Sequence, residues 1–356
     1  MVDKAVEGTR VLVQGLPGYA SILVMLLNQS LRTLLPRSVR HAITFFGCHF
    51  SSVAGEASSP VPISSETSSI AWLRTGKTQK TLAREIVMSG KGLHSGVDVV
   101  VRLFPAKAGE GKYFVLGDNL SIVIPACINF AVESALCTTL SRQGMKVRTT
   151  EHLLSALEAM GVDNCRIEMV GGDEVPLLDG SARRWVDAVE EATLCDAVDD
   201  YGRCIEKLAP FVVEPVHILY GDSFIAAYPS EKIHITYGIN FPQANIVRIT
   251  LVSAIGCQWF SCFPMDKFVY VKDISSARTF CIYEEIKRML SHGLVKGGSR
   301  QNSMICSAHR GWLNPPLHFQ NEPCRHKVLD LIGDLSLLAQ YGNQGLPVAH
   351  ILVYKL

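Results

Sequence analysis

Two short polar motifs carry residues that could bind a metal ion and activate water. The first is Thr149-Thr150-Glu151-His152, which leads into apolar residues at helical spacing. In the first turn of a helix, the dipole favours the Glu151 carboxylate and disfavours an imidazolium at His152. A neutral His152 could coordinate a metal ion, and Glu151 could accept a proton. A capped helix start with an incidental histidine is the plainer interpretation of these residues.

The second motif places three polar residues along one face of a predicted helix. His326, Asp330 and Asp334 follow one another at i, i+4 and i+8, and the residues beside them are apolar. This narrow polar stripe is predicted to face a cleft. A neutral imidazole and a carboxylate suit zinc, and a third protein ligand would leave one position for water. The alternative is an amphipathic helix with a His–Asp pair and no metal.

Together the two motifs suggest a catalytic zinc ion. His152, His326 and Asp330 are the candidate ligands, and Glu151 is the candidate general base because it is adjacent in sequence to a ligand. The sequence contains neither His-Glu-x-x-His nor His-x-x-Glu-His, so it does not follow the common metallopeptidase patterns.

The elements that must position these residues are predicted to be a mixture of strands and helices. Four helices and a final strand are predicted over Thr150–Met160, Ser181–Ala192, Tyr283–His292, Arg325–Ala339 and Ala349–Tyr354. Further strands are predicted over residues 81–88, 99–104, 121–125, 164–170, 211–216, 223–228 and 234–239. Each half mixes strands with about two helices, which indicates the α+β class.

Composition divides the chain into three parts. Residues 8–55 contain four arginines and no Asp or Glu, and residues 51–69 contain eight serines and two prolines. This pattern predicts a mitochondrial, or alternatively plastid, transit peptide followed by a Ser-rich linker over residues 1–78. A disordered tail and a membrane anchor are the alternatives. The only nearly clean apolar run is Ala20–Leu27, whereas a membrane span needs about 20 residues.

The remaining sequence is predicted to form two domains. A polar, Gly-containing stretch over residues 196–205 separates a first domain at 79–200 from a second at 201–356. The 34 basic and 33 acidic side chains give a net charge of +1, without the basic excess that nucleic-acid partners require. None of the 11 cysteines forms a Cys-x-x-Cys pair, which excludes a cysteine zinc finger and indicates free thiols in a reducing compartment.

From about residue 79 to the end, the chain resembles the UDP-3-O-acyl-N-acetylglucosamine deacetylase family. These are zinc amidases of the lipid A pathway, with plant organellar relatives. The Glu-His element and the His-Lys-x-x-Asp element, in that order and context, are its most specific features. The matching segments, in family order, are residues 89–96, 136–140, 150–157, 161–164, 178–182, 277–280, 297–299 and 325–334.

The resemblance implies roles for individual residues. His152, His326 and Asp330 correspond to the zinc ligands, and Glu151 corresponds to the general base. Thr279 matches a threonine that stabilises the oxyanion, and Lys327 matches a lysine that binds substrate and stabilises developing charge. The remaining matches are Asp334, which orients a second catalytic histidine, and Phe280, Gly297 and Gly298, which border the acyl-chain passage.

The resemblance also implies a fold and a reaction. The expected fold is an α+β two-domain sandwich in which each domain is a mainly antiparallel sheet layered with two helices. The expected substrate is UDP-linked acylated glucosamine, and the products are acetate and the free amine. We expect a monomer with no nucleic-acid partner and no stable membrane span.

The sequence departs from the family pattern in two places. Residues 245–253 form an apolar run that looks like an insertion. In the family, the strand resembling Val348–Lys355 leads into a Gly-His motif that carries the second catalytic histidine, and this sequence stops at Leu356. The alternative hypothesis is therefore a catalytically impaired, zinc-binding paralogue or isoform that lacks the Gly-His segment.

Overall fold

The computed structural model describes residues 69–117, 119–241, 255–307, 309–314 and 316–355. In chain order, the strands of the first half are β1 (Ile70–Thr78), β2 (Lys80–Leu82), β3 (Ile86–Lys91), β4 (Asp98–Pro105), β5 (Lys112–Leu116), β6 (Asn119–Pro125), β7 (Ala131–Val132), β8 (Thr139–Arg142), β9 (Met145–Val147), β10 (Cys165–Val170) and β11 (Leu194–Asp196). Its helices are α1 (Glu151–Met160) and α2 (Arg183–Ala192). These elements confirm the mixed character that the sequence predicts.

The second half of the chain also mixes strands and helices. Its strands are β12 (Glu206–Val212), β13 (Val216–Tyr220), β14 (Ser223–Pro229), β15 (His234–Phe241), β16 (Gly256–Cys262), β17 (Phe280–Ile282), β18 (Met304–Ser307), β19 (Gly311–Trp312) and β20 (Ala349–Tyr354). Its longer helices are α3 (Tyr283–Ser291) and α4 (Glu322–Leu335). A short helical turn at Lys267–Val269 leads into a π-helical turn at Tyr270–Ile274.

Two five-stranded sheets share one strand order. The first runs β3-β4-β10-β5-β6 and the second runs β13-β14-β20-β15-β16. In each sheet the central strand is antiparallel to one neighbour and parallel to the other. The central strands β10 and β20 are also the strands that follow α1 and α4. The two helices that carry the motifs therefore have equivalent places in the two halves.

Helices α1 and α4 pack against each other in the interior. Leu153, Leu154 and Leu157 of α1 are fully buried, and burial of each such side chain is worth about 1.5–3 kcal/mol. The hydroxyl of Ser155 donates to the Leu329 carbonyl oxygen at 2.7 Å and so joins the two helices. Helix α1 ends at Gly161 in the left-handed conformation, where the sequence predicts the stop.

Several element boundaries differ from prediction. Strand β1 lies before residue 79 and pairs with β12 from Ile70–Val212 to Thr78–Glu206, so the folded part begins earlier than the sequence indicated. The single strand predicted over 211–216 is instead the end of β12 and the start of β13, because the chain turns at Glu214-Pro215.

Other predictions about organisation are not tested by these elements. The division into domains at residues 200 and 201 stays a prediction. Most of the predicted transit peptide and linker, and the apolar run at 245–253, lie outside the described residues. Among the helices that the structure describes, none has both the length and the apolar character needed to cross a bilayer.

Candidate metal centre

The site forms where the start of α1 meets the middle of α4. Glu151 and His152 occupy the first turn of α1, as predicted, and both side chains are buried. His326 and Asp330 lie one turn apart on α4 and face them. The Asp330 Oδ1 atom is 3.4 Å from the Nε2 atoms of both His152 and His326.

These three side chains form a candidate metal-binding set. Their donor atoms all lie within 4.8 Å of one another, and the two imidazole rings are perpendicular, with centroids 4.9 Å apart. The Oδ1 atom of Asp330 is buried and has no hydrogen-bond partner among the described residues. A buried carboxylate oxygen without a partner is costly, and a cation between the three donors would remove that cost. Two imidazoles and one carboxylate fit zinc and leave a coordination position open.

A backbone contact fixes the orientation of His326. Its Nδ1 atom donates to the carbonyl oxygen of Ala277 at 2.9 Å, which leaves Nε2 as the lone-pair nitrogen facing Asp330. Burial lowers the pKa of His326 to about 4, so this imidazole is neutral at physiological pH. A neutral, oriented imidazole is the form that binds a metal ion.

His152 differs from the expectation based on the helix dipole. Its burial acts to lower the pKa, but the Asp330 carboxylate outweighs burial, and the pKa lies above its usual value. Burial likewise opposes ionisation of Asp330, yet His326, Lys327 and His152 hold the pKa of that carboxyl far below its usual range. The Asp330 carboxylate on the other helix therefore acts on the His152 pKa in the opposite direction to the dipole of α1.

Glu151 lies beside the metal-binding set in a buried environment. Burial raises the pKa of this carboxyl well above its usual value, which favours a group that can take up and return a proton. Its Oε2 atom accepts a hydrogen bond from the backbone amide of Thr138 at 2.9 Å. The hydroxyl of Thr138 donates to Oδ1 of Asp334. Thr138 thus connects the two acidic residues on opposite helices.

Sequence reasoning missed Thr138. It belongs to the matching segment at residues 136–140. A threonine that lies between a cysteine and another threonine does not by itself indicate a positioning role. The role of Thr138 follows from the path of the chain, because the residues before β8 return to the start of α1. There the Thr150 amide donates a hydrogen bond to the Thr138 carbonyl oxygen at 3.2 Å.

The remaining predicted residues lie at different distances from the metal-binding set. Lys327 Nζ donates to Asp330 Oδ2 at 3.1 Å, so its charge is next to the candidate ligands. The Phe280 ring is 6.5 Å from the His326 ring, which places it at the edge of the site. Thr279 lies between Ala277 and Phe280 in sequence, and its amide donates to the Gly180 carbonyl oxygen at 2.7 Å.

The glycine turn contacts the first half of the chain. The Gly297 amide donates to the carbonyl oxygen of Leu93 at 2.9 Å, and a Cβ on Gly297 would overlap Gly92. Gly298 donates to the Val295 carbonyl oxygen at 3.1 Å. The substrate-binding roles expected for Gly297 and Gly298 stay predictions.

Comparison with known proteins places the chain in a family. The LpxC family model, described as UDP-3-O-acyl N-acetylglycosamine deacetylase, matches residues 79–355. The chain is similar to "Probable UDP-3-O-acyl-N-acetylglucosamine deacetylase 1, mitochondrial" of Arabidopsis thaliana, with 51% identity over 287 residues that cover 79% of this chain and 85% of the relative.

Bacterial relatives extend the comparison. The UDP-3-O-acyl-N-acetylglucosamine deacetylase of Trichormus variabilis is 44% identical over 282 residues, which cover 78% of this chain and 93% of the relative. The enzyme of the same name from Thermosynechococcus vestitus is 41% identical over 281 residues, covering 78% and 89%. The matched region contains both motifs of the candidate metal centre. The chain therefore belongs to the UDP-3-O-acyl N-acetylglycosamine deacetylase family, whose members are amide-hydrolysing enzymes.

Proposed function

We propose that this protein is a zinc-dependent deacetylase that hydrolyses the acetamide of a UDP-3-O-acyl-N-acetylglucosamine. The observation that carries the proposal is the convergence of His152, His326 and Asp330 beside the buried carboxylate of Glu151. The names and the matched lengths of the relatives support the substrate class. The products are acetate and the free amine on the glucosamine ring.

Zinc would be held by Nε2 of His152, Nε2 of His326 and Oδ1 of Asp330. When bound, the zinc ion supplies a lowered pKa for a coordinated water and polarises the acetamide carbonyl. The backbone carbonyl of Ala277 keeps His326 in the tautomer needed for this role. Lys327, which contacts Asp330, keeps a positive charge at the edge of the site.

Glu151 acts as the general base in this proposal. The water oxygen forms a bond to the acetamide carbon while its proton passes to the Glu151 carboxylate. The carbon–nitrogen bond then breaks, and the proton reaches the leaving amine. The Thr138 amide holds Oε2 of Glu151 in place, which leaves Oε1 for the water. The raised pKa caused by burial suits a group that must both accept and return a proton.

Other residues would stabilise charge and hold the substrate. We assign the Thr279 hydroxyl and the Lys327 ammonium to the oxyanion that develops on the carbonyl oxygen. Phe280, at the edge of the site, and the turn at Gly297 and Gly298 would border the acyl chain. Asp334 would support a proton donor for the leaving amine, with its own orientation maintained by Thr138.

The test measures zinc content and acetate release in parallel. Purified protein should contain one zinc ion per chain and release acetate from the UDP substrate. Glu151→Gln should retain zinc and lose roughly 100–10,000-fold in rate. Glu191→Gln, at an exposed glutamate on α2, is the matched control and should leave both quantities unchanged. Absence of zinc from the wild-type protein would refute the proposal.

The alternative is a zinc-binding relative without turnover. It predicts one zinc ion per chain in the wild-type protein and no acetate release at any substrate concentration. The two hypotheses share the metal site and differ only in the chemistry. The parallel measurement therefore separates them.

We also propose an organellar location, with the mitochondrion favoured over the plastid. The acid-free, arginine-containing residues 8–55 and the names of the Arabidopsis thaliana relatives support it. A fluorescent protein fused after residue 78 should accumulate in mitochondria of plant cells. Accumulation in plastids would favour the alternative organelle, and diffuse fluorescence would contradict both.

A further inference from the structure

Two histidines lie side by side on the second five-stranded sheet. His234 of β15 and His350 of β20 are register partners, and their rings stack with centroids 3.8 Å apart and planes 5° from parallel. The flanking residues Ile235 and Ile351 are buried, and helix α4 packs against β15. Because successive strand residues point to opposite faces, the histidine pair faces away from the candidate metal centre.

Two hydroxyl groups lie beside the Nε2 atoms of this histidine pair. The Oγ1 atom of Thr236 is 3.2 Å from His234 Nε2 and 3.1 Å from His350 Nε2. The Oγ atom of Ser261 is 2.9 Å from His234 Nε2 and 3.0 Å from Thr236 Oγ1. Four potential ligand atoms therefore meet on one face of the sheet, contributed by three neighbouring strands.

Neutral imidazoles in this cluster could bind a cation. Burial lowers the pKa of His234, the neighbouring His350 lowers it further, and burial also lowers the pKa of His350. In the neutral tautomer that carries its proton on Nδ1, each ring presents an Nε2 lone pair to the two hydroxyl groups, and this is the tautomer that could bind a metal ion through Nε2.

Two further aromatic rings lie beside the histidine pair. Phe263 lies 5.2 Å from the His234 ring, and Tyr228 lies 6.3 Å from the His350 ring. The ring planes are nearly parallel, so the two Nε2 lone pairs can meet on one ion only after the rings rotate out of the stacked arrangement.

We propose that His234 and His350 form a second metal site, separated from the candidate catalytic centre by the sheet. Its ligand is a divalent transition-metal ion that prefers imidazole, such as Ni²⁺ or Cu²⁺, with the hydroxyl oxygens of Thr236 and Ser261 or water completing the coordination. The site does not depend on the deacetylase function.

Calorimetric titration of the zinc-loaded full chain with Ni²⁺ tests this proposal. The wild-type protein should bind one Ni²⁺ beyond its zinc, and elemental analysis should show that the zinc remains. His350→Ala and His234→Ala should each lose this Ni²⁺ equivalent. His217→Ala is the matched control, because His217 is exposed on β13 of the same sheet and is in register with Ala226. This variant should keep the Ni²⁺ equivalent.

Thermal unfolding provides a second readout. Ni²⁺ should raise the melting temperature of the wild-type protein and of His217→Ala. It should leave the melting temperatures of His234→Ala and His350→Ala unchanged. If an alanine variant does not fold, His350→Gln replaces it, since glutamine keeps the size of the side chain and removes the imidazole. The proposal is overturned if the wild-type protein takes up no additional Ni²⁺, or if the His234 and His350 variants bind it as tightly as His217→Ala does.

Discussion

The carbonyl oxygen of Glu151 lies directly against the Cα atom of Gly333. A Cβ atom at position 333 would overlap that oxygen and come within 2.8 Å of the carbonyl carbon. Helices α1 and α4 approach this closely because residue 333 has no side chain. The approach brings His152 and Glu151 of one helix to His326 and Asp330 of the other.

Gly333→Ala is expected to separate the two helices and weaken the metal site. In an exposed helix this change would stabilise the protein by about 0.5–1 kcal/mol, so a loss of stability would reveal the steric contact. We expect a lower melting temperature together with a lower zinc affinity, measured by competition with a chelator. Unchanged zinc affinity would mean that the helix spacing at Gly333 is not what sets the ligand geometry.

The sequence predicted each helix well but could not predict this contact. Apolar spacing and the stop at Gly161 define α1, and the polar stripe defines α4 to within a few residues. Those signals are local. The contact between Glu151 and Gly333 depends on how two helices that are far apart in sequence cross. A glycine within a helical sequence pattern does not indicate which residue it will contact.

The same limit explains the other features that sequence reasoning missed. Thr138 joins Glu151 to Asp334 only because the residues before β8 return to the start of α1. His234 and His350 become neighbours because β20 inserts beside β15 in the sheet. The two motifs supplied the candidate ligand set and the family resemblance agreed with it, whereas the supporting contacts depend on how distant parts of the chain meet.

Thr138→Val should slow the reaction and leave zinc binding intact. The change removes the hydroxyl that donates to Asp334 but keeps the amide that donates to Glu151. Loss of a supporting hydrogen bond of this kind costs roughly 10–100-fold in activity. Acetate release and zinc content should be measured on the same preparation.

The adjacent Thr139→Val is the matched control for that experiment. Thr139 is also buried, and its hydroxyl lies 3.7 Å from the Cys137 sulfur atom. It should retain nearly the full rate. Equal losses of the acetate-release rate in the two variants would indicate a general packing defect and would contradict a specific role for Thr138.

Two matched variants distinguish the role of the candidate ligand Asp330 from that of Asp334, which lies one turn later on α4. These variants are Asp330→Asn and Asp334→Asn. An amide oxygen is a weaker zinc ligand than a carboxylate, so Asp330→Asn should lower zinc affinity by at least roughly 100-fold, more than loss of a supporting residue. Asp334→Asn should bind zinc normally and lose activity. Equilibrium dialysis against a zinc buffer measures the first effect. Normal zinc binding by Asp330→Asn would remove Asp330 from the ligand set.

A buried ion pair at the other end of α1 makes stability depend on pH. Lys112 and Glu158 are almost fully buried, with Nζ and Oε2 3.0 Å apart, and Oε1 of Glu158 accepts the amides of Gly345 and Leu346 at 2.7 and 2.8 Å. Burial alone would raise the pKa of Glu158, but Lys112 and the two amides outweigh it, and the pKa is lowered.

Glu158→Gln should therefore destabilise the protein at neutral pH by about 3–5 kcal/mol, because it leaves Lys112 buried without its counter-charge. The carboxylate stabilises the folded state fully above its unfolded pKa of about 4.3, and this stabilisation disappears as the pH falls through the lower folded pKa. Urea unfolding should show the difference between wild type and variant shrinking as the pH falls below about 5.

The double variant Lys112→Met with Glu158→Gln is the control, because glutamine can still accept the two amides and methionine removes the stranded charge. It should recover most of the stability lost in the single variant. A difference in unfolding free energy that stays constant from neutral to acid pH would show that shape, rather than charge, makes Glu158 important.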